Sequence, residues 1–462
     1  MWKILALAGA FVLTGTACVG GGDDERTILV DFSHDEFASI MVGNFPGEVE
    51  VTQGMTLVFK QTWTGEPHTV TGGTLVNQLM AKAGVWTSFF GPAEALIGQG
   101  VLPNPENPEG SLADALAAVG SADDKDNARK FLDAYDGLVK AKVPVPARDD
   151  VGDTTFEAFV MVIDEKSDEF FSDLGLPWAL DDSEDGVYEA KQNAGQPCYL
   201  NEGAPPKDAD EPCRESQQRQ PVFDGSASYY NSGIIPYEGP QGNTFRVRLA
   251  QDIKPGSYFF YCAVHGPQQA TEVKVRPSGT KVPPQSDVSR QARKEIAEFA
   301  EPMLKAYRDA RDNKVEIEGQ EVSGPFGGLA APVFGAINEF FPKTIRTKVG
   351  ERVTWKLMGW DHSVSFDVPP YFPIIRFAED GTVSLNPQLH EPAGGSPEVP
   401  EQEGRGPLTV DGGTYDGSGF FSSALMSAEP YAEYSLRFSK PGTYKYACLL
   451  HPPMVGTVVV TQ

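Results

Sequence analysis

The sequence predicts a mainly β protein with two β-sandwich domains, the first carrying a large helical insertion and the two joined by an α-helical linker. An internal repeat supports this prediction. Phe45-Pro46 precedes Gly54 at the same distance as Phe341-Pro342 precedes Gly350, and an alternating strand follows each glycine. Short β-rich runs bounded by Pro-Gly and Asp-Gly turns recur in both halves, which is typical of the antiparallel strands of a sandwich.

The repeat continues through the later strands and sets the predicted domain boundaries. Lys254–Cys262 carries the same Lys-Pro-Gly turn, aromatic residues and final cysteine as Lys440–Cys448. The predicted units are a discontinuous first domain (27–72 and 220–276), a helical insertion (73–219), a linker (284–314) and a second domain (326–462).

Each repeat also carries residues that suit a soft transition metal. The segments Cys262-Ala-Val-His265 and Cys448-Leu-Leu-His451-Pro-Pro-Met454 each place a thiolate near an imidazole, and the second adds a thioether. A His₂Cys site with a weak axial Met or Gln is the blue-copper electron-transfer site. The further imidazole stands upstream in both halves. The predicted ligands are therefore His68, Cys262 and His265 for one copper, and His362, Cys448, His451 and Met454 for the other.

The five cysteines leave few alternatives to these roles. Cys198 and Cys213 form a close pair that we predict to be a disulfide, which an exported location permits. Cys262 and Cys448 could instead be buried small apolar residues or nucleophiles paired with histidine. Their duplication, each with a distant second histidine, favours copper.

Both halves resemble the cupredoxins, the plastocyanin and amicyanin family of blue copper proteins. The pattern Cys448-x₂-His-Pro-x-Met454-x-Gly-x-Val is similar to the amicyanin-type ligand loop, and His362 falls on the family's upstream ligand. The resemblance implies a Greek-key β-sandwich with a type 1 copper site in each half. In the first half, alignment of the histidines puts Gln268 at the axial position, as in stellacyanin-like members, while Gln269 could serve instead.

The predicted axial ligands differ, and this predicts different reduction potentials. The amide oxygen of Gln268 is harder than the thioether of Met454 and favours Cu(II) over Cu(I). We therefore expect the first site to have the lower potential, with electrons running downhill from the first site to the second. Gln268→Met is expected to raise the potential of the first site.

The N-terminus predicts export. A short basic start, the apolar run Ile4–Leu13 and the small residues Gly15-Thr16-Ala17 precede Cys18. This is the pattern of a secretory signal peptide, here residues 1–17, and it is too short to span a membrane. A Gly/Asp-rich stretch follows Cys18, so the segment resembles a bacterial lipoprotein signal, although Gly15 stands where Leu is usual. We expect a protein lipid-anchored at the outer face of the cell membrane; the alternative is a plain secretory signal with Cys18 discarded or free.

The net charge and the residue counts argue against several classes of partner and activity. The net charge of −26 argues against nucleic acid as a partner, and it could steer a basic redox partner. An oxidase or reductase would need further copper-binding histidines, but only His34 and His390 lie outside the predicted ligand sets and no His-x-His pair exists. The methionines form no Met-x-x-Met cluster, which ranks copper storage or delivery below electron transfer.

We therefore expect an electron-transfer protein with two type 1 copper sites and no enzymatic activity. Its electron donor and acceptor are redox proteins that the sequence does not identify, and it meets the membrane through a lipid anchor only. The alternatives are a copper storage or delivery lipoprotein and a multicopper oxidoreductase that takes ligands from another subunit.

Two segments lie outside the repeat. In the insertion, Leu75–Lys82 and Ala128–Lys140 have apolar residues at helical spacing. The insertion is interpreted either as a lid or partner-docking surface or as a helical subdomain. Residues 284–314 are predicted to form a charged amphipathic helix, kinked at Pro302, that separates or orients the two sandwiches.

Overall fold

The structure, a computed structural model, describes most of the chain outside the N-terminus and the insertion. The described residues are 24–62, 64–81, 129, 174–182, 188–235, 243–312, 315–317, 320–330, 335–359, 361–369, 372–400, 407–428 and 431–462. The predicted signal peptide (1–17), Cys18 and most of the predicted helices of the insertion lie outside these ranges. Within them, no helix is long and apolar enough to cross a membrane.

Two sheets are built mainly from the first half of the chain. The smaller has four strands, in the spatial order Thr244–Arg248, Thr56–Gln61, Glu25–Val30 and Asn44–Phe45. The larger has six strands, in the order Glu48–Thr52, Gly266–Arg276, Gly256–Cys262, His68–Gly72, Tyr229–Ile235 and Cys198–Leu200.

Two further sheets are built mainly from the second half. One has six strands, in the order Ser39–Met41, Gly335–Phe341, Phe326–Ala330, Arg352–Leu357, Ala432–Phe438 and Leu408–Tyr415. The other has five, in the order Thr344–Lys348, Val455–Thr461, Gly442–Ala447, Ser365–Phe366 and Phe421–Ser422. The prediction of a mainly β protein is confirmed.

The strand pairing differs from the prediction in two respects. The predicted strands were antiparallel, but Glu25–Val30 pairs in parallel with Thr56–Gln61, and Thr344–Lys348 pairs in parallel with Val455–Thr461. In addition, Ser39–Met41 lies within the predicted first domain but joins a sheet of the second half, where it pairs with Gly335–Phe341. Short edge strands can be exchanged in this way because alternation in the sequence does not specify the partner strand.

Each pair of sheets encloses an apolar core. Strands alternate inward and outward side chains with period two, and Glu25–Val30 follows this with every second residue buried. In the first core, Ile28 and Leu57 from the smaller sheet meet Phe260 and Val273 from the larger sheet. In the second core, Trp355 is fully buried and donates a hydrogen bond from Nε1 to the hydroxyl of Tyr446.

A third apolar cluster joins the two halves. Tyr229 and Tyr261 of the first half are clustered with Ile374, Val383 and Leu449 of the second. The hairpin formed by strands Ile375–Phe377 and Val383–Leu385 takes part in this contact. Its Val383 amide donates to Gln192 Oε1 at 2.9 Å, and Gln192 Nε2 donates to the Val383 carbonyl at 2.6 Å. The two halves are therefore in direct contact through apolar side chains and paired hydrogen bonds.

The described part of the insertion contains both helix and strand. Residues 74–81 are helical, in agreement with the pattern over Leu75–Lys82. The other elements of this region are the strand pair Leu180–Asp182 and Tyr188–Ala190, the short helix Gln192–Gly195, the strand Cys198–Leu200 and the 3₁₀ turn Glu215–Gln217. A disulfide joins Cys198 to Cys213, with the Cα atoms 5.7 Å apart.

The linker is one long helix, Gln285–Arg311, with Pro302 inside it. Its buried residues recur every three or four positions, so they form one apolar stripe; they are Val288, Ala292, Ile296, Ala300, Met303, Tyr307 and Ala310. This stripe packs on Phe37, Met41 and Phe45 of the first half and on Phe326 and Ile337 of the second. The two remaining described elements are the hairpin Val315–Ile317 with Gln320–Val322 and the 3₁₀ turn Pro387–Leu389.

Candidate metal centres

The first candidate centre lies where strands end at one edge of the larger sheet. His68 begins the strand His68–Gly72, Cys262 ends the strand Gly256–Cys262, and His265 lies in the turn that follows. The sulfur of Cys262 lies 3.7 Å from Nδ1 of His68 and 3.6 Å from Nδ1 of His265. The structure thus brings His68 beside Cys262 and His265, which follow it in the sequence by almost two hundred positions.

The sulfur of Cys262 is buried and accepts hydrogen bonds from the backbone. The amides of Thr69 and Val264 each donate to it at 3.3 Å. Burial favours the neutral thiol, but hydrogen bonds and charges from His265 and His68 outweigh this and hold the pKa of Cys262 well below its usual range. The thiolate is the form that binds a metal.

Gln269, rather than Gln268, points toward this centre. Gln268 is exposed, whereas Gln269 is fully buried and its Oε1 lies 3.0 Å from Nδ1 of His68. The strand Gly266–Arg276 buries alternate residues, and its inward set includes Gln269, Thr271 and Val273. Because neighbouring residues of a strand face opposite sides, the prediction that places Gln268 at the axial position disagrees with this geometry. The alternative residue, Gln269, fits it.

A buried carboxylate contacts Nε2 of His68, the ring nitrogen that does not face the sulfur. Oδ2 of Asp31 lies 3.1 Å from Nε2 of His68, and both side chains are fully buried. Asp31 has a positive φ of 61° and is held by the hydroxyl of Thr64 and by the amide of Met41, which donates to Oδ1 at 3.1 Å. Burial disfavours the charged imidazole, but the hydrogen bonds that Asp31 and Cys262 accept from it outweigh burial and raise the pKa of His68 to about 10.

The second candidate centre repeats the arrangement. The sulfur of Cys448 lies 3.9 Å from Nδ1 of His362 and 3.5 Å from Nδ1 of His451, and the two Nδ1 atoms are 3.1 Å apart. The amide of Ser363 donates to the sulfur at 3.4 Å. Burial opposes the thiolate, but His451 and His362 hold the pKa of Cys448 well below its usual range.

Met454 closes the ligand loop of this second centre. It is fully buried, its amide donates to the carbonyl of His451 at 2.8 Å, and its carbonyl accepts from the Cys448 amide at 3.0 Å. These bonds hold the loop from Cys448 to Met454 in a compact turn. The structure therefore places the buried Met454 at the end of the loop that carries the two predicted strong ligands Cys448 and His451.

The two centres differ in what contacts Nε2 of the upstream histidine. Nε2 of His362 is buried and has no hydrogen-bond partner among the described residues, whereas Nε2 of His68 faces Asp31. Burial is the largest influence on His362 and lowers its pKa. The ring of His362 also packs closely against the backbone at Gly328 (φ 75°). A Cβ placed on Gly328 would overlap the Nε2 atom of this ring. Glycine at 328 therefore leaves the space that the ring occupies.

One carboxylate lies between the two centres. Oε1 of Glu66 lies 3.3 Å from Nε2 of His451, and Oε2 of Glu66 lies 3.7 Å from Nε2 of His265. The carboxylate is almost fully buried; burial favours its neutral form, but its contacts with His265 and His451 outweigh this and hold the pKa of Glu66 well below its usual range. Burial also opposes protonation of His451. Contacts with Cys448, the larger contributor, and with Glu66 outweigh burial and raise the pKa of His451 to about 9.

A cavity of about 280 Å³ lies beside this carboxylate. Its polar lining comes from Glu66, His265, Asp361 and His390, and the rest of the lining is mainly leucine. Burial is the main influence on Asp361 and raises its pKa. His390, which lies outside the predicted ligand sets, lines this cavity together with His265.

The donor atoms of both centres have the spacing of a metal site and are consistent with copper. In zinc sites, bonds of about 2.0 Å to nitrogen and about 2.3 Å to sulfur, at tetrahedral to trigonal angles, separate nitrogen and sulfur by roughly 3.5–3.7 Å. The four observed sulfur–nitrogen distances lie between 3.5 and 3.9 Å. Each group supplies one thiolate and two imidazoles, the three strong ligands that a His₂Cys copper site requires. The two groups are the ones in the described chain whose donor atoms lie close enough to hold a metal ion.

Three residues that shape these centres are not indicated by the sequence pattern. Asp31 and Glu66 support ligand histidines, and Gly328 makes room for one. The parity of the strand Gly266–Arg276 could have indicated Gln269, since the core residues Val273 and Val275 stand at odd positions. No comparable pattern in the sequence marks Asp31, Glu66 or Gly328.

Comparison with known proteins gives structural neighbours only. No protein-family model and no curated protein matches the chain. A methionine-to-alanine variant of amicyanin with Cu(I) is 24% identical over 27% of this chain and 73% of that chain, with a TM-score of 0.15. Another Cu(I) variant of amicyanin is 22% identical over 32% of this chain and 93% of that chain, with a TM-score of 0.17. At these TM-scores the likeness adds nothing to what the site geometry supports.

Proposed function

We propose that this protein is an exported electron-transfer protein with two type 1 copper sites, one in each of two Greek-key sandwich domains. The observation that carries the proposal is the pair of buried His–Cys–His groups, each with its sulfur 3.5–3.9 Å from two Nδ1 atoms. Copper would supply a one-electron couple between Cu(I) and Cu(II).

The residues that would hold the two ions follow from the contacts. Cys262 with Nδ1 of His68 and His265 would hold the first ion, with Oε1 of Gln269 as the weak donor. Cys448 with Nδ1 of His362 and His451 would hold the second, with Met454 as the weak donor. Ligands that are already placed by hydrogen bonds and packing need little rearrangement when an electron arrives or leaves, which suits electron transfer.

Electron transfer is favoured over catalysis because the ligand histidines are buried and largely enclosed. His68, His362 and His451 are fully buried, and the side chain of His265 is 10% exposed. A metal that binds and activates a substrate needs an open coordination position, while a relay needs only an approach for electrons. His265, at the cavity beside Glu66, is the ligand that offers such an approach.

The function is tested by comparing electron exchange with turnover. Copper-loaded protein should exchange one electron per site with small redox mediators and should not consume oxygen or nitrite in a sustained way. Cys262→Ser and Cys448→Ser should each remove one of the two exchanging sites and leave the other. Sustained oxygen consumption with a phenolic or metal-ion donor would contradict the relay function and favour an oxidoreductase.

A further inference from the structure

The loop that carries Glu66 is seated against the ligand loop of the other half. Gly65, with a φ of 113°, faces the carbonyl of Leu450, and a Cβ at position 65 would overlap that carbonyl and touch Pro452. The Glu66 carbonyl accepts a hydrogen bond from Nε2 of Gln61 at 2.5 Å, which anchors the loop to its own sheet. Glycine at 65 thus lets a loop of the first half reach His451 of the second.

The carboxylate contacts the same atom of the matching histidine in each centre. Nε2 of His265 and Nε2 of His451 both face Glu66, while both Nδ1 atoms face their cysteine sulfurs. An ionised carboxylate only accepts hydrogen bonds, so at 3.3 Å it accepts one from Nε2 of His451, while at 3.7 Å it makes an ion-pair contact with Nε2 of His265. Carboxylates that accept the second N–H of a ligand histidine fix its tautomer and orientation.

Burial of the Glu66 carboxylate costs free energy unless both of its histidine partners are present. A buried carboxylate loses its hydration, and removal of a partner leaves an uncompensated charge. Glu66 has two imidazole partners, one from each half of the chain, and lies beside the apolar cluster that joins the halves. The contact is therefore a buried part of the interface between the two halves and differs from an ordinary ion pair on the surface.

We propose that Glu66 links the two centres into one unit, and that electrons pass between them within a single chain along His265, Glu66 and His451. This inference rests on the proposed function. The route consists of two imidazoles and one carboxylate, with non-bonded gaps of 3.7 and 3.3 Å, and tunnelling is fastest where such gaps are short. With copper bound at both sites, the one electron given up by the reduced ion would be taken up by the oxidised ion, and no bond would form or break.

The experiment uses the full copper-loaded chain and follows one electron after it enters. A flash-generated reductant adds less than one electron per molecule, and the visible bands of the two sites report its movement. Cys262→Ser and Cys448→Ser assign the bands. The test variants are Glu66→Ala and Glu66→Gln. Glu339→Gln is the matched control, because Glu339 is also buried and also joins the halves, accepting the Ala38 amide at 3.0 Å, but it contacts no ligand histidine.

The wild-type protein should show a phase of electron redistribution whose rate does not change with protein concentration. Glu66→Ala should slow this phase by roughly tenfold or more, within the range that follows loss of a carboxylate behind a metal ligand. Glu339→Gln should leave it unchanged. A second readout does not depend on rates: loss of the negative charge in Glu66→Gln should raise the reduction potentials of both sites together.

Redistribution at the wild-type rate in Glu66→Ala, or a rate proportional to protein concentration, would overturn the inference. So would a Glu66→Gln variant in which only one potential moves, because Glu66 would then not be shared. These failures leave copper content and spectrum intact. A chain that binds no copper would instead contradict the proposed function, so the two outcomes are distinguishable.

Discussion

The carboxylate of Asp31 lies 3.1 Å from Nε2 of His68, and both side chains are fully buried. In the other half, Nε2 of His362 has no hydrogen-bond partner among the described residues. A negative charge behind a ligand stabilises the more positive ion, which here is Cu(II) over Cu(I). With copper bound, the asymmetry would therefore act in the same direction as the proposed axial ligands Gln269 and Met454, and we expect the first site to have the lower reduction potential.

Asp31→Asn should raise the reduction potential of the first site and leave the second unchanged. The amide keeps the shape of the side chain but removes the charge that favours Cu(II). A tenfold change in relative affinity for the two oxidation states corresponds to about 59 mV for a one-electron couple, and we expect a rise of roughly that size. Spectroelectrochemical titration measures it. Asp35→Asn, an exposed residue of the same segment, is the control and should shift neither potential.

Gln269→Met should also raise the potential of the first site and move its visible band toward that of the second. A thioether stabilises Cu(I) better than an amide oxygen does, and Gln269 is the buried residue that faces His68. Gln268→Met is the matched control, since Gln268 is exposed one position earlier. If Gln268→Met changes the spectrum and Gln269→Met does not, the assignment of the axial ligand is reversed.

Gly328→Ala should impair the second site and spare the first. An alanine Cβ would overlap Nε2 of His362 and force the ring to move, so copper content should fall by about one ion per chain. Gly350→Ala shares the positive φ but has open space around it, and should cost only the backbone strain of about 1–2 kcal/mol. Equal copper content in the two variants would show that the space at 328 does not matter. Metal analysis and thermal unfolding compare them.

Cys18→Ser tests the predicted lipid anchor. Two or more acyl chains are needed for firm membrane attachment, and these would be carried by Cys18 once the signal peptide is removed. The variant should appear in the soluble fraction or remain unprocessed, as seen by cell fractionation and mass measurement. A variant that stays membrane-bound and processed as before would contradict the lipoprotein prediction.

The two His–Cys–His groups are predictable from the sequence because of local spacing. Cys448 and His451 stand on one turn, as do Cys262 and His265, and the repeat supplies an upstream histidine at the same place in each half. The mainly β fold is predictable for a similar reason, since alternation and turn residues are local properties. Gln269 is nearly predictable, because the alternation of the strand Gly266–Arg276 places it on the buried face.

The supporting residues depend on contacts that no local pattern encodes. Asp31 reaches His68 because the strand before it runs parallel to Thr56–Gln61, so that Val30 pairs with Gln61. Glu66 reaches His451 only because the two halves dock, across 385 positions of sequence. The pairing of Ser39–Met41 with a sheet of the second half depends on the same docking. Side chains that meet across an interface leave no spacing signature in a single sequence.

Metal content measured together with the visible spectrum of the purified, copper-exposed protein tests the central claim most directly. We expect about two copper ions per chain, strong visible charge-transfer absorption from the thiolates, and loss of about one ion in each of Cys262→Ser and Cys448→Ser. Zinc in place of copper, no bound metal, or copper without the thiolate absorption would contradict the claim that the His–Cys–His groups are type 1 copper sites.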